Sequence, residues 1–86
     1  MTQTTRATAD VQTVVLERLQ LIAQYARPRT AIAAYSTLIA LGAFDTARRG
    51  PWRRLTELAY KSRPAVAAAA IRALVRARRA ERRIPR

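Results

Sequence analysis

Pro28, Pro51 and Pro64 divide a chain that otherwise holds little to break a helix. Proline has no N–H to donate and disfavours helical geometry in the residue before it. Each one therefore closes a helix upstream or sits in the first turn of a new one. Between them the composition is helix-forming: nineteen of 86 residues are alanine and only two are glycine. Alanine is the best helix former, and no strand of useful length is visible, so the fold class reads as all-α. A chain of this length has room for one domain, 1–86. Its core is modest, burying roughly 60–65% of the unfolded surface.

Apolar spacing predicts a compact bundle of about four helices, over about 8–26, 30–42, 52–61 and 64–83. Residues 1–7 are polar and expected to be disordered. In the first helix Thr8 is placed to cap, with Asp10 in the first turn. Val11, Val14, Val15, Leu19, Ile22 and Ala26 share one face; Thr13, Glu17, Gln20 and Gln24 share the other. Ile32, Tyr35, Ile39 and Ala43 supply the second helix's face, and Gly42 ends it. "GAFDTARRGP" reads as a loop with Phe44 tucked onto the core. Leu55, Leu58 and Ala59 face inward from the third helix, Trp52 reads as a core tryptophan at its start, and Glu57 and Lys61 stand as an i,i+4 pair. Ser62 is expected to cap the fourth helix and Pro64 to fill its first turn.

The chain has neither Cys nor His. That excludes disulfides, the usual zinc sites and Cys- or His-based catalysis. Asp10, Glu17, Asp45, Glu57 and Glu81 are scattered, Ser36 and Ser62 have no histidine to activate them, and no glycine loop cradles phosphate. No catalytic residue, metal site or cofactor is expected, and the chain does not read as an enzyme. No signal peptide or membrane span is evident, which makes a soluble cytoplasmic protein the expectation.

Charge is the chemical signal. The net charge is +12, yet residues 1–47 hold four basic and three acidic residues, whereas residues 48–86 hold thirteen and two. So basic a half-chain implies an acidic partner. At 100° per residue Ala67, Ala70, Ile71, Leu74 and Val75 form one side of the last helix. Arg72, Arg76, Arg79 and Arg83 form the other. This arginine stripe is about 17 Å long at 1.5 Å per residue, the scale of several phosphate steps. Arg78 and Arg82 fall on the core side, so the core stripe is expected to end at Val75. The last two turns would then lie free to grip a polyanion. "RRGPWRR" sets Trp52 among Arg48, Arg49, Arg53 and Arg54, an arrangement suited to bases or backbone if the ring is exposed.

"AYSTLIAL" (34–41), "GPWRRLTELA" (50–59) and "AAIRALVRARRAERR" (69–83) together resemble a helix-turn-helix domain of winged-helix type. The likeness is to those of plasmid and phage replication initiators and small regulators. Leu55, Leu58 and Ala59 match its "LxxLA", and Ile71 and Leu74 match inward positions of the third helix. The turn "YKSRP" is shorter than the family's and lacks its glycine, and "RIPR" leaves no room for a two-stranded wing. The resemblance implies duplex DNA binding by a regulator or replication accessory factor. Arg63, Ala65, Ala68 and Ala69 would then stand at the start of the recognition helix. Alanine can touch a thymine methyl but reads no base edge richly, so phosphate contacts would carry affinity. The expected nucleic-acid contacts are Arg53, Arg54, Lys61, Arg63, Arg72, Arg76, Arg79, Arg82 and Arg83. Residues 8–26 are a candidate homodimerisation helix. Two other partners stay open: an acidic protein docked on the basic face, and RNA.

Overall fold

The computed structural model describes residues 2–83, with side chains from Val11 onward. Those residues form helices and turns alone. Among the described residues there are five helices rather than four: α1 Thr2–Tyr25, α2 Pro28–Ala40, α3 Phe44–Arg48, α4 Gly50–Lys61 and α5 Pro64–Arg82. The prolines act as expected. Arg27 and Arg63, each preceding a proline, have nearly the same extended geometry (φ −58°, ψ 152° and φ −57°, ψ 154°), and each occupies the N-cap position of the helix that follows without a side-chain cap bond. At the end of α2 the chain closes in a Schellman turn. Ala43 N–H donates to Leu38 C=O at 2.9 Å and Gly42 N–H donates to Ile39 C=O at 3.0 Å. This turn places Gly42 at φ +74°, where a side chain is disfavoured.

Several local expectations are corrected. The first helix begins at Thr2, so residues 2–7 of the segment expected to be disordered are helical, Met1 lies outside the described residues, and Thr8 falls inside the helix instead of at its N-cap. "GAFDTARRGP" contains α3, five residues too short to show a period, and α4 starts at Gly50 instead of Trp52. Ser62 ends α4 in extended geometry and does not cap α5, which has no side-chain cap bond at all. Glu57 and Lys61 do not pair; among the described residues the one ion pair is Arg48–Glu81.

The core is built largely from alanine. Leu38, Leu55, Tyr35, Ile32 and Leu58 are buried together with Ala23, Ala31, Ala34, Ala47, Ala70, Ala73 and Ala77. So many small side chains let the helices approach closely, and they turn two helices away from their expected orientation. On α5 the buried row is Ala70, Ala73 and Ala77, with Ala80 half-buried. Ile71 and Val75, expected inside, are 49% and 43% exposed. The packing stripe therefore does not end at Val75 but runs on through Ala77 toward the helix end. On α1 the buried side is Ala23, flanked by Leu16, Leu19 and Ile22, while Val11, Val14 and Val15 face solvent. From Val11 to Val15 every residue is exposed, so this part of α1 stands clear of the other helices. The molecule is correspondingly elongated, 51 × 30 × 16 Å.

Candidate nucleic-acid interface

The alanine stripe fixes where the arginines of α5 point. With Ala70, Ala73 and Ala77 inward, Arg72, Arg76, Arg79 and Arg83 are exposed along one side of the helix. Arg78 and Arg82 are exposed on the adjoining side, beyond Ile71 and Val75. Six guanidinium groups thus share about half of the helix circumference. The helix holds one acid, Glu81, and it is turned away from them. Arg48 of α3 donates from Nε to Glu81 Oε1 at 3.1 Å and from Nη2 to Oε2, a two-pronged pair reaching across 33 residues of sequence. The pair anchors the C-terminal turns of α5 to α3 and takes the only nearby carboxylate from the arginine face.

Tyr35 lies beneath this pair, 2% exposed. Burial is the main cause that pushes its phenol above the usual 10.0; the Glu81 charge adds to the rise and Arg48 opposes it. Arg48 in turn is held more firmly protonated, chiefly by its hydrogen bond to Glu81.

A cleft opens on each side of α5. One, about 510 Å³, has Arg76, Arg79 and Arg83 along one wall and Ser36 and Ala40 of α2 opposite. The other, about 670 Å³, lies toward α4, where Trp52, Ile71 and Val75 give it apolar walls beside Thr56, with Arg78 also lining it. Phe44 is half-buried in the same cleft, between core and solvent.

Trp52 is 51% exposed, not a core residue as its place at a helix start suggests. It shares a face of α4 with Thr56 and Tyr60, which is 85% exposed. Arg49 and Arg53 are exposed beside it, and Lys61 and Arg63 are exposed at the α4–α5 turn.

No protein-family model, curated protein or solved structure matches this chain. The geometry of its own residues must carry the functional reading.

The expected contact residues do not form one group. Arg72, Arg76, Arg79, Arg82 and Arg83 lie together on α5. Lys61 and Arg63 flank the α4–α5 turn, with Arg63 about 30 Å from Arg83 at 1.5 Å per residue. Arg53 stands in the first turn of α4 beside Trp52. Arg54 belongs to none of these. Its Nη2 donates to Ala26 C=O at 3.1 Å and its Nη1 to Gln24 C=O, so it caps the last carbonyls of α1 and ties that helix to α4. Arg78 lies outside the expected set, yet it joins Arg82 on the exposed face beyond Ile71 and Val75. The i, i+3, i+7, i+10 spacing of Ala70, Ala73, Ala77 and Ala80 is the signal that would have found it.

Proposed function

We propose that this protein binds duplex DNA through the phosphate backbone, with α5 laid along the duplex and Arg72, Arg76, Arg79, Arg82 and Arg83 on phosphate oxygens. One observation carries the reading: six exposed arginines share a helix whose only carboxylate is bound elsewhere. Arginine suits the task, because its planar fork can bond two phosphate oxygens at once. Lys61 and Arg63 extend the positive surface to the α4–α5 turn, with the Tyr60 ring beside it, and Arg53 extends it to the start of α4, where Trp52 offers a second ring. Specificity is expected to be low. The first turns of α5 are Pro64, Ala65, Val66, Ala67 and Ala68, which offer bases no hydrogen-bonding side chain. A role in regulation or replication of a plasmid or phage rests on the winged-helix resemblance, with the two-residue α4–α5 connection as the tight turn of a helix-turn-helix. In the duplex test, log K should fall linearly with log[salt], with a slope of roughly −0.9 per phosphate neutralised. Arg76→Ala with Arg79→Ala should reduce that slope by about two units and leave the helical circular dichroism intact. Equal binding by the double variant would refute the proposal.

A second reading has an observation of its own. The cleft between α4 and α5 exposes Trp52, Ile71 and Val75 next to Arg78, a combination that fits an amphipathic acidic helix from another protein. Micromolar binding to such a protein, with none to duplex DNA at about 0.1 M salt, would favour it; at that salt the Debye length is still about 10 Å. Preference for RNA over duplex DNA in the same titration would select the third partner.

A further inference from the structure

Two sides of α1 are apolar, and the body of the protein uses only one. Leu16, Leu19, Ile22 and Ala23 turn toward the other helices. Val11, Val14, Leu21 and Tyr25 lie on the far side and are 50–76% exposed. Their positions are i, i+3, i+10 and i+14, and Arg18 fills i+7. This is the alternating three-and-four spacing of a coiled-coil seam, with Val15 exposed along its edge. Single exposed apolar side chains are ordinary; a row at seam spacing, on a helix whose other side already packs on its own domain, marks an interface.

Charge identifies what covers it. Residues 2–26 carry Arg6, Asp10, Glu17 and Arg18, which sum to zero, and the remaining residues carry fifteen basic and three acidic groups, a net of +12. Nearly all of that excess lies in residues 48–86, so two copies repel one another wherever α4 or α5 would meet, whereas α1 offers an approach that is both neutral and lined with apolar side chains. An acidic partner, by contrast, is drawn to α4 and α5. We propose that the Val11, Val14, Leu21 and Tyr25 face of α1 is a homodimer interface, two copies joined by their first helices about a two-fold axis. Arg18 in the middle of the seam is adjacent to Glu17, so each copy offers the other a carboxylate where it presents a guanidinium. A polar residue at such a position sets register at some cost in stability. The proposal does not depend on the DNA reading, although a dimer would present two α5 arginine faces to one duplex.

The test uses the full chain, freed of nucleic acid and held at about 0.5 M salt, where charge repulsion is screened beyond several Å. Sedimentation or light scattering at micromolar concentration should give twice the 9.6 kDa chain mass. Val14→Glu with Leu21→Glu should give the single-chain mass and unchanged helical circular dichroism, since both side chains are already solvent-facing. If that variant loses its helical signal, the milder Val14→Gln is measured instead and should weaken dimerisation at least tenfold. Glu17→Arg should weaken the dimer as well, and adding Arg18→Glu should restore it. A monomer at 100-fold higher concentration, or a dimer indifferent to Val14 and Leu21, overturns the proposal.

Discussion

Arg54 shows how little a residue's type says about its use. Among the basic residues of "RRGPWRR" it alone is bonded to backbone carbonyls, those of Gln24 and Ala26 at the end of α1. Charge-assisted bonds to otherwise orphaned carbonyls contribute about 2 kcal/mol together. Arg54→Ala is therefore expected to lower Tm by about 10 °C in a domain of this size. Its DNA salt slope should stay unchanged, the reverse of the pattern for Arg76 and Arg79. Thermal melts and a salt titration on the same protein check both halves. At Gly42 the constraint is conformational. With φ at +74°, Gly42→Ala should cost about 1 kcal/mol, read as a shifted denaturation midpoint, even though no atom lies near enough to clash. Tyr35 gives a pH dependence whose sign is fixed by its environment. A phenol raised by burial contributes stability that is fully present below the ordinary value of 10.0 and is lost as pH rises through the raised one. Stability should thus decline above about pH 10, and Tyr35→Phe should flatten the decline in a denaturation series.

For whole elements, the boundaries fixed by proline and glycine were legible in the sequence, whereas the start of α1, the short α3 and the orientations were not. Pro28, Pro64 and Gly42 act through their own backbone geometry, so the ends they impose need no knowledge of neighbours. Which side of a helix is buried depends on what packs against it, and there the hydrophobic pattern misled. On α5 Ala70 and Leu74 pack inward as expected, but Ile71 and Val75 stand outside and Ala73 and Ala77 are buried in their place, because small residues let α2 and α4 come close. On α1 the valines read as core and stand outside, since the pattern cannot say whether a row of apolar residues meets its own chain or another. The short α3 was hidden because it is held by tertiary contacts, Ala47 in the core and Arg48 on Glu81, instead of by a period of its own. The arginine stripe survived this reorientation, because it lies on the exposed half of α5 under either assignment. A pair of substitutions separates the two assignments of α5. Ala73→Leu should destabilise by about 1–3 kcal/mol through overpacking of the helix contact. Ile71→Ala should cost under about 1 kcal/mol, well below the 2–5 kcal/mol of a core isoleucine. Chemical denaturation of the two variants decides, and the opposite ranking would restore the sequence-based orientation.

Across the whole molecule, the positive charge is both a liability and fixed. Sixteen arginines and a single lysine supply it, and there is neither His nor Cys. No residue type present has its ordinary range near neutrality, so the net charge should hardly change between about pH 6 and 9. Self-repulsion among these charges opposes the compact state, above all on α5, where six guanidinium groups crowd one side. The core opposing that repulsion is small and rich in alanine, so it gains less from burial than one built of leucine. Screening should therefore stabilise this protein. Raising salt from about 10 to 300 mM shortens the Debye length from about 30 Å to below 8 Å, and Tm should rise over that range. A polyanion that binds only the folded state should raise Tm further, as RT ln(1 + [L]/Kd), by about 2.7 kcal/mol of stabilisation at a hundredfold excess over Kd. The two effects diverge on α5 variants. Arg76→Ala with Arg79→Ala relieves repulsion and should raise Tm at low salt, while the extra stabilisation by duplex DNA shrinks. A thermal melt series with and without duplex, at low and moderate salt, reads both. If the double variant melted lower than the parent at low salt, the arginine stripe would be contributing to the fold itself, and its assignment to a phosphate surface would lose its physical basis.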